Sequence, residues 1–192
     1  MNHNWLVTDD GQCRAFGHPH IPEPGQYYRL YRFLTDIEDI LATFHDDISR
    51  LEAITPLVRK LLISSYWLQT TYQQPNPDIG WAAHSLYQEH DFPLTLHMVA
   101  WSPGYQAPPH TYDTWGILAI VSGQDHHELW HRPPKMDNAK DPEANDTELF
   151  GTLVLNPGDV IAFTHSTTHR VSPQGDSPTV ALGLYGAPRM DR

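Results

Sequence analysis

Two segments of the chain contain histidines at spacings that suit a metal site. The first is His110-Thr111-Tyr112, and the second runs from the turn Pro157-Gly158-Asp159 to His169. Side chains two residues apart on a strand share a face, so His110 and Tyr112 can both point into a barrel while Thr111 points outward. The Pro-Gly-Asp turn sends a new strand back across the barrel, which allows a histidine at the far end of this segment, where His165 and His169 lie, to meet His110. Because imidazole is the commonest side-chain ligand for metals, two such histidines on facing strands can bind one metal ion.

Short strands are the elements that must position these residues. They are separated by Pro-Gly or Ser-Gly pairs, a pattern typical of an all-β barrel or sandwich, and a small barrel encloses a ligand-sized interior. The predicted strands are Leu94–Trp101, Trp115–Val121, His127–His131, Leu149–Leu155, Val160–Phe163 and Val180–Tyr185. Residues 132–148 are polar and contain proline, which predicts a loop. His126, His127 and His131 lie in or beside one strand with alternating faces, so one or two of them must point outward, and a surface role is the default expectation for each.

Two helices are predicted before these strands. Apolar residues recur at helical spacing over residues 34–51, and Thr35 with Glu38 suits a capping box at the start of this helix. Thr55-Pro56 places an N-cap residue before a proline at the first helical position, which predicts the start of a second helix. This second helix is expected to continue until the break at residues 73–77.

The composition of the chain changes near residue 90. Residues 1–28 are rich in Gly, Pro and polar groups, which predicts an irregular arm. We therefore expect one structural domain, in which residues 1–90 form an arm and helices packed on the barrel and residues 91–192 form the barrel itself.

The charge balance limits the partners that the chain can bind. Lys and Arg number 12 against 23 Asp and Glu, for a formal net charge of −11. Because nucleic acids and anionic membranes attract basic surfaces, we expect the protein to bind neither. Cys13 is the single cysteine, so an intramolecular disulfide is excluded, and the chain has no signal-like start and no apolar run of the roughly 18 residues that a membrane span needs. These features predict a cytoplasmic protein.

The two histidine segments resemble the two motifs of the cupin superfamily, and within it those of the thiol dioxygenases, the family of cysteine dioxygenase and 3-mercaptopropionate dioxygenase. The likeness to the bacterial mercaptopropionate branch is the greater. The residues that match, apart from the two segments themselves, are Trp67-Leu68, Gln74–Pro77, Ala100–Gly104, Trp115-Gly116, Ser122-Gly123, Val160, Arg170-Val171 and Leu184–Gly186. The resemblance implies a mainly β fold, a small jelly-roll cupin barrel with an N-terminal helical segment. It also implies Fe(II) held by three histidines and the oxidation of a small thiol to a sulfinic acid by O2.

The resemblance assigns roles to individual residues. His110 matches the first iron ligand and His169 the third, whereas Tyr112 stands where the family has its second histidine. Tyr112 either stands back from the metal or ligates it as an anionic, harder donor. If Tyr112 is no ligand, either water takes its place or another residue completes the site, and the candidates are His165, His97 and Asp113.

The last strand departs from the family pattern of Ser, His and Tyr at alternate positions. Here these positions hold Ala181, Gly183 and Tyr185, so only the tyrosine is kept. His97, on a neighbouring predicted strand, could bring an imidazole back beside Tyr185. We therefore expect Tyr185, His97 and Tyr112 to take part in catalysis.

The substrate is constrained by the positions of the basic residues. No Lys or Arg occurs between Lys60 and Arg132, the stretch in which cysteine dioxygenase has its substrate-binding arginine. The mercaptopropionate branch uses an arginine near the C-terminus, a role that Arg189 could take. Trp115 is expected either in the core or as a wall of the substrate site.

Two other kinds of function fit the same residues. One is a metal-dependent lyase or isomerase that uses Tyr112 or Tyr185 as an acid or base, since cupin folds support many activities. The other is a small-molecule-binding protein without enzymatic activity, which the missing second histidine would explain.

Overall fold

The structure, a computed structural model, describes residues 2–17, 27–92, 94–131 and 148–187. Strands dominate this part of the chain, and two α-helices and a short 3-10 helix lie near its start. In chain order the elements are β1 (Asn4–Val7), β2 (Cys13–Ala15), α1 (Leu30–Thr43), α2 (Asp47–Ser64), the 3-10 helix Tyr66–Thr70, β3 (Trp81–Gln88), β4 (Leu94–Trp101), β5 (Gly116–Ser122), β6 (Gln124–His131), β7 (Glu148–Leu155), β8 (Val160–Phe163), β9 (Thr168–Arg170), β10 (Pro173–Gln174) and β11 (Thr179–Gly186). None of the described helices is long and apolar enough to cross a membrane.

Two sheets face each other. The larger has the strand order β2-β1-β8-β5-β11-β4-β3, and the smaller has the order β10-β6-β7 with β9 paired to β6. Apolar residues from both sheets meet in one cluster, for example Leu118 and Phe163 of the larger sheet with Leu129 and Leu155 of the smaller. The predicted fold class is confirmed by this arrangement, which is mainly β with an N-terminal helical segment.

The larger sheet has two apolar faces. Leu96 and Met98 of β4 belong to a second cluster that includes the buried faces of both helices, whereas Val99 and Trp101 belong to the cluster between the sheets. Side chains alternate across a strand, so a mostly apolar strand can serve both clusters at once. The helices therefore cover the outer face of the larger sheet, and the space between the sheets is the barrel interior.

The helix boundaries differ from those predicted. The first helix ends at Thr43, and residues 44–46 separate it from the second. Asp46 caps α2 by accepting a hydrogen bond from the Ser49 backbone N–H at 2.8 Å. The two predicted helix starts are therefore wrong. Thr35 and Thr55 lie inside helices, where each hydroxyl donates to the carbonyl four residues earlier, and Pro56 lies in the body of α2. Burial of a continuous apolar face on α2 outweighs the backbone hydrogen bond that the proline removes.

Three strands occur before residue 90. β1 and β2 lie within the segment predicted to be an irregular arm, so that prediction is wrong for residues 4–7 and 13–15. β1 pairs in parallel with β8 and antiparallel with β2, while β3 extends the other edge of the sheet beside β4. A strand of four or fewer residues has little pattern of its own, and β1 is specified by a partner from the far end of the chain.

The turn that leads from β5 in the larger sheet to β6 in the smaller sheet depends on Gly123. Its φ is +76°, and a Cβ there would lie 2.6 Å from the Thr179 Cα and 2.8 Å from the Pro178 carbonyl oxygen. Gly104 has a similar φ of +72°, but a Cβ at that position would meet no atom within 4 Å. We expect Gly104→Ala to cost about 1–2 kcal/mol from backbone strain alone, and Gly123→Ala to cost clearly more because backbone atoms must also move. Urea denaturation of both variants measures the difference, and equal losses would contradict the packing argument.

Candidate metal centre

His110 and His169 meet inside the barrel. Their backbones form an isolated antiparallel bridge in which each N–H donates to the other residue's carbonyl at 2.9 Å. The centroids of their imidazole rings lie 4.6 Å apart. The expected approach of the two segments is therefore present in the structure, and metal binding by this pair stays a prediction.

His169 is an imidazole with no hydrogen-bond partner. Its side chain is 0% exposed, and neither ring nitrogen has a partner within the described structure. Burial, followed by the neighbouring His127 and His110, holds the pKa of His169 well below its usual range, so the ring is neutral at neutral pH. Unpaired buried nitrogens are costly, and a neutral imidazole is the form that binds metal ions. The ring therefore fits a bound cation better than it fits a plain core position.

His127 is the third imidazole of this cluster. Its ring lies 5.1 Å from that of His169 and is fully buried, while its Nδ1 lies 2.7 Å from an Asp125 carboxylate oxygen. The predicted surface position of His127 is therefore wrong, because Asp125, His127 and Leu129 occupy the inward-facing positions of β6. The alternation of these three residues is the signal that could have identified it. His126 is half-buried, and the side chain of His131 lies outside the described part of the structure.

Two tyrosines connect the cluster to β11. The Tyr185 hydroxyl donates to the Tyr112 hydroxyl at 3.2 Å, and the Tyr112 oxygen lies 3.3 Å from His110 Nε2. Burial raises the pKa of Tyr112, and burial together with Tyr112 raises the pKa of Tyr185 well above its usual range, so both phenols are neutral at neutral pH. Tyr112 thus stands beside His110 as a neutral hydrogen-bonding group, a weaker metal donor than a phenolate.

His97 lies beside Tyr185. The two ring centroids are 5.1 Å apart, and His97 pairs with Gly183 across the ladder between β4 and β11. A Cβ at residue 183 would lie 3.0 Å from His97 Nε2 and 2.9 Å from the Tyr185 ring. Gly183 therefore leaves the space that the His97 ring occupies, and an imidazole stands next to the tyrosine although the last strand has none.

The other candidates for a second ligand lie elsewhere. His165 Nδ1 is 3.0 Å from an Asp9 carboxylate oxygen and 3.6 Å from one of Asp47. Asp113 is exposed, at a left-handed φ of +53°. The structure brings neither residue to the histidine cluster, because one is held by the N-terminal segment and α2 and the other points to solvent.

The two expected substrate-binding residues are not seen at the cluster. Trp115 is buried in the cluster on the helix side and lines a cavity of about 230 Å³ together with Arg50 and His165. Side chains at alternate positions share a face, and Trp115 lies on the same face as the residues of β5 that pack against the helices. It therefore faces away from His110 and His169. Arg189 lies outside the described residues.

The donor groups suit a divalent transition metal. Two neutral imidazoles, with a third beside them, are ligands that iron, zinc, copper and nickel accept. Arg170, next to His169 in the chain, is held by Glu128 at 2.6 Å and adds no free charge to the interior. Within the described residues, no three His, Cys, Asp or Glu side chains are already gathered around one point as ligands. The unpartnered nitrogens of His169 fit a metal ion, and the structure shows two candidate ligands in contact.

No family model matches the sequence. Solved structures similar to this chain include KdgF from Halomonas sp., with 20% identity over 64% of this chain and 93% of that chain at a TM-score of 0.44. They also include a cupin superfamily protein from Desulfitobacterium hafniense DCB-2, with 12% identity over 62% of this chain and 86% of that chain at a TM-score of 0.44. A third is the cupin domain of Cnp3 from Schizosaccharomyces pombe, with 12% identity over 56% of this chain and 64% of that chain at a TM-score of 0.42. None of these three names is that of a thiol dioxygenase, and the likeness is one of fold.

Proposed function

We propose that the protein is a metal-dependent cupin oxidoreductase that uses Fe(II) and O2 to oxidise a small thiol or a related sulfur compound. The observation that supports this most directly is His169, a fully buried imidazole with both nitrogens unpartnered and in ring contact with His110. His110 and His169 would hold the iron. When bound, iron would favour ionisation of a coordinated thiol and relay electrons from its sulfur to dioxygen, both oxygen atoms ending on the sulfur in the net reaction RSH + O2 → RSO2H.

The residues around the histidines would orient the substrate and move protons. Tyr185 and Tyr112 are neutral and form a hydrogen-bonded pair that ends at His110 Nε2. Their hydroxyls can donate to negative charge that develops on a bound reactant. Tyr185 is buried, so a hydrogen bond that its hydroxyl donates is stronger than it would be in water. His97 holds the Tyr185 ring from the other side.

The substrate we propose is a small thiol other than cysteine. Among the described residues, no Lys or Arg side chain is seen in contact with the histidine cluster, so a substrate carboxylate would depend on Arg189 or be absent. 3-Mercaptopropionate and an uncharged short thiol such as 2-mercaptoethanol are the compounds that distinguish these two cases.

Oxygen consumption by the iron-loaded protein tests the proposed function. We expect O2 uptake that depends on a thiol and is matched by formation of the sulfinic acid, with cysteine a poorer substrate than 3-mercaptopropionate or 2-mercaptoethanol. Electrode measurements with mass spectrometry of the product record both quantities. Full iron occupancy without thiol-dependent uptake would contradict the proposal.

A second candidate function is a metal-dependent lyase or isomerase reaction. The hydrogen-bonded chain from Tyr185 through Tyr112 to His110 favours it, because such a chain can transfer protons without a redox step. Substrate turnover under strictly anaerobic conditions would favour this candidate over the oxidoreductase.

Tyr185→Phe should slow the reaction without removing the metal. The substitution deletes one hydroxyl that points toward the cluster, and loss of one such preorganised donor costs roughly 10²-fold or more in kcat. We expect kcat to fall by at least about 10-fold while iron content stays at the wild-type level. Tyr87→Phe on β3, which lies in the helix-side cluster, is the control and should leave kcat unchanged. An unchanged kcat for Tyr185→Phe would exclude the hydroxyl from the reaction.

A further inference from the structure

We infer that His127 is a metal ligand and completes a three-histidine set with His110 and His169. The inference rests on the proposed function, since it concerns the same metal. It places the third imidazole on β6 and leaves Tyr112, which occupies the second-ligand position of the motif, as a hydrogen-bonding neighbour.

The three rings form one contiguous group. The ring centroid of His169 lies 4.6 Å from that of His110 on one side and 5.1 Å from that of His127 on the other. Phe163 stacks on both His169 and His127, at 4.3 and 5.5 Å, and closes the group from β8. The histidines come from three separate segments of the barrel wall, as ligands of an interior metal must.

The hydrogen bonds of the two outer rings are those of metal ligands. His127 Nδ1 lies 2.7 Å from the Asp125 carboxylate, and His110 Nδ1 lies 2.9 Å from the Pro108 carbonyl oxygen. Each contact keeps the ring proton on Nδ1 and the lone pair on Nε2. His127 Nε2 has no partner in the described structure, whereas His110 Nε2 lies 3.3 Å from the Tyr112 hydroxyl, which a bound cation would displace. Metal-binding histidines almost always donate their second nitrogen to a carboxylate or a backbone carbonyl in this way.

A purely structural role explains only part of this geometry. Asp125 also accepts the Ser172 backbone N–H at 2.7 Å, so the carboxylate has a role in holding β10 and β6 together. That role does not explain why His127 Nε2 is buried without a hydrogen-bond partner in the described structure. A leucine would fill the space without the cost of an unpaired nitrogen. A bound cation accounts for the nitrogen.

The three rings would have to rotate before they could bind one ion. The rings contact one another in series, and no three ligands in the described ranges already surround one point. The terminal torsion of histidine is soft, and His169 has no hydrogen bond to lose when it turns. The hydrogen bond between His127 Nδ1 and the Asp125 carboxylate limits how far the His127 ring can turn.

X-ray absorption spectroscopy and metal titration test the inference. We expect the wild-type protein with Fe(II) or Co(II) to show three imidazole ligands. His127→Leu should show two and bind the metal at least about 10-fold more weakly. His126→Leu changes the adjacent residue on the opposite face of β6 and should behave like the wild type. Two imidazoles in the wild type, or unchanged binding by His127→Leu, would overturn the inference while the proposed function stands. A wild-type protein that takes up neither metal would overturn both.

Asp125→Asn is a second test that keeps the volume of the side chain. The amide can still accept from Ser172, but its NH2 group would face His127 Nδ1 and shift the ring proton to Nε2, which then cannot bind metal. We expect metal affinity to fall by roughly 10- to 100-fold with the far-ultraviolet circular dichroism unchanged. A folded Asp125→Asn protein with wild-type affinity would show that Asp125 does not position a ligand.

Discussion

Replacing His169 with leucine should abolish metal binding and at the same time stabilise the metal-free protein. Both imidazole nitrogens are buried and unpartnered within the described structure. An unsatisfied buried polar group costs about 1–3 kcal/mol, a cost that leucine removes while keeping most of the volume. We therefore expect the free energy of unfolding of the metal-free protein to rise by about 1–3 kcal/mol, against the usual trend that core substitutions destabilise.

Urea denaturation in the presence of a chelator measures this gain, and metal analysis of the purified protein measures the loss. His126→Leu is the matched control, because it adds the same side chain on the half-buried face of β6 and should change neither quantity by much. A metal-free His169→Leu protein that is less stable than the wild type would mean that packing or hydrogen bonds of the imidazole outweigh the cost of its buried nitrogens.

Arg59→Ala should be among the most destabilising single substitutions in the protein. The guanidinium is buried and donates to the Gly158 carbonyl at 2.6 Å, the His3 carbonyl at 2.7 Å and the Asn4 side-chain oxygen at 2.8 Å. It thereby joins α2 to β1 and to the turn that leads into β8. Removal leaves the Gly158 carbonyl and the Asn4 side-chain oxygen without this donor, while the His3 carbonyl keeps only the Val160 N–H. We expect the free energy of unfolding to fall by about 3–5 kcal/mol.

Arg32→Ala is the control for Arg59→Ala. Arg32 is largely exposed and pairs with Asp36 one turn along α1, so its loss should change stability by less than about 1 kcal/mol. Arg59→Lys should recover little, because one ammonium group cannot reach three acceptors in the directions that the planar guanidinium serves. Equal stability of the two alanine variants in urea would contradict the assignment of Arg59 as the link between these elements.

The strands that border the site were predictable because their patterns are local. β4 and β8 have the bounds expected from their apolar runs, and β5, β7 and β11 differ by a residue at one or both ends. The strands before residue 90 were not predictable in the same way. β1 is four residues long and gains its hydrogen bonds from β8 and β2, so its stability depends on pairing with other strands, of which β8 lies near the far end of the chain.

The candidate site was predictable in part. The turn and the strand period, both local, indicate that a histidine after the turn can meet His110, and the resemblance to the cupin motifs pointed to His169. Whether His127 points inward depends on which alternate positions of β6 face the interior. Polar residues occupy both sets of alternate positions, and the register shifts between Leu129 and Trp130. The alternation of Asp125, His127 and Leu129 suggests which set faces inward, but the choice is fixed by the pairing of β6 with β7 and β9.

The parallel pairing of β1 with β8 affects how the protein can assemble. Residues 4–7 form a strand with residues 160–163, so this part of the sheet cannot close until nearly the whole chain is available. Without residues 4–7, β8 would present an open edge, to which a strand of another molecule can add. We therefore expect chains that lack residues 1–17 to aggregate rather than to remain as stable monomers, and expression yield to be sensitive to changes in this N-terminal strand.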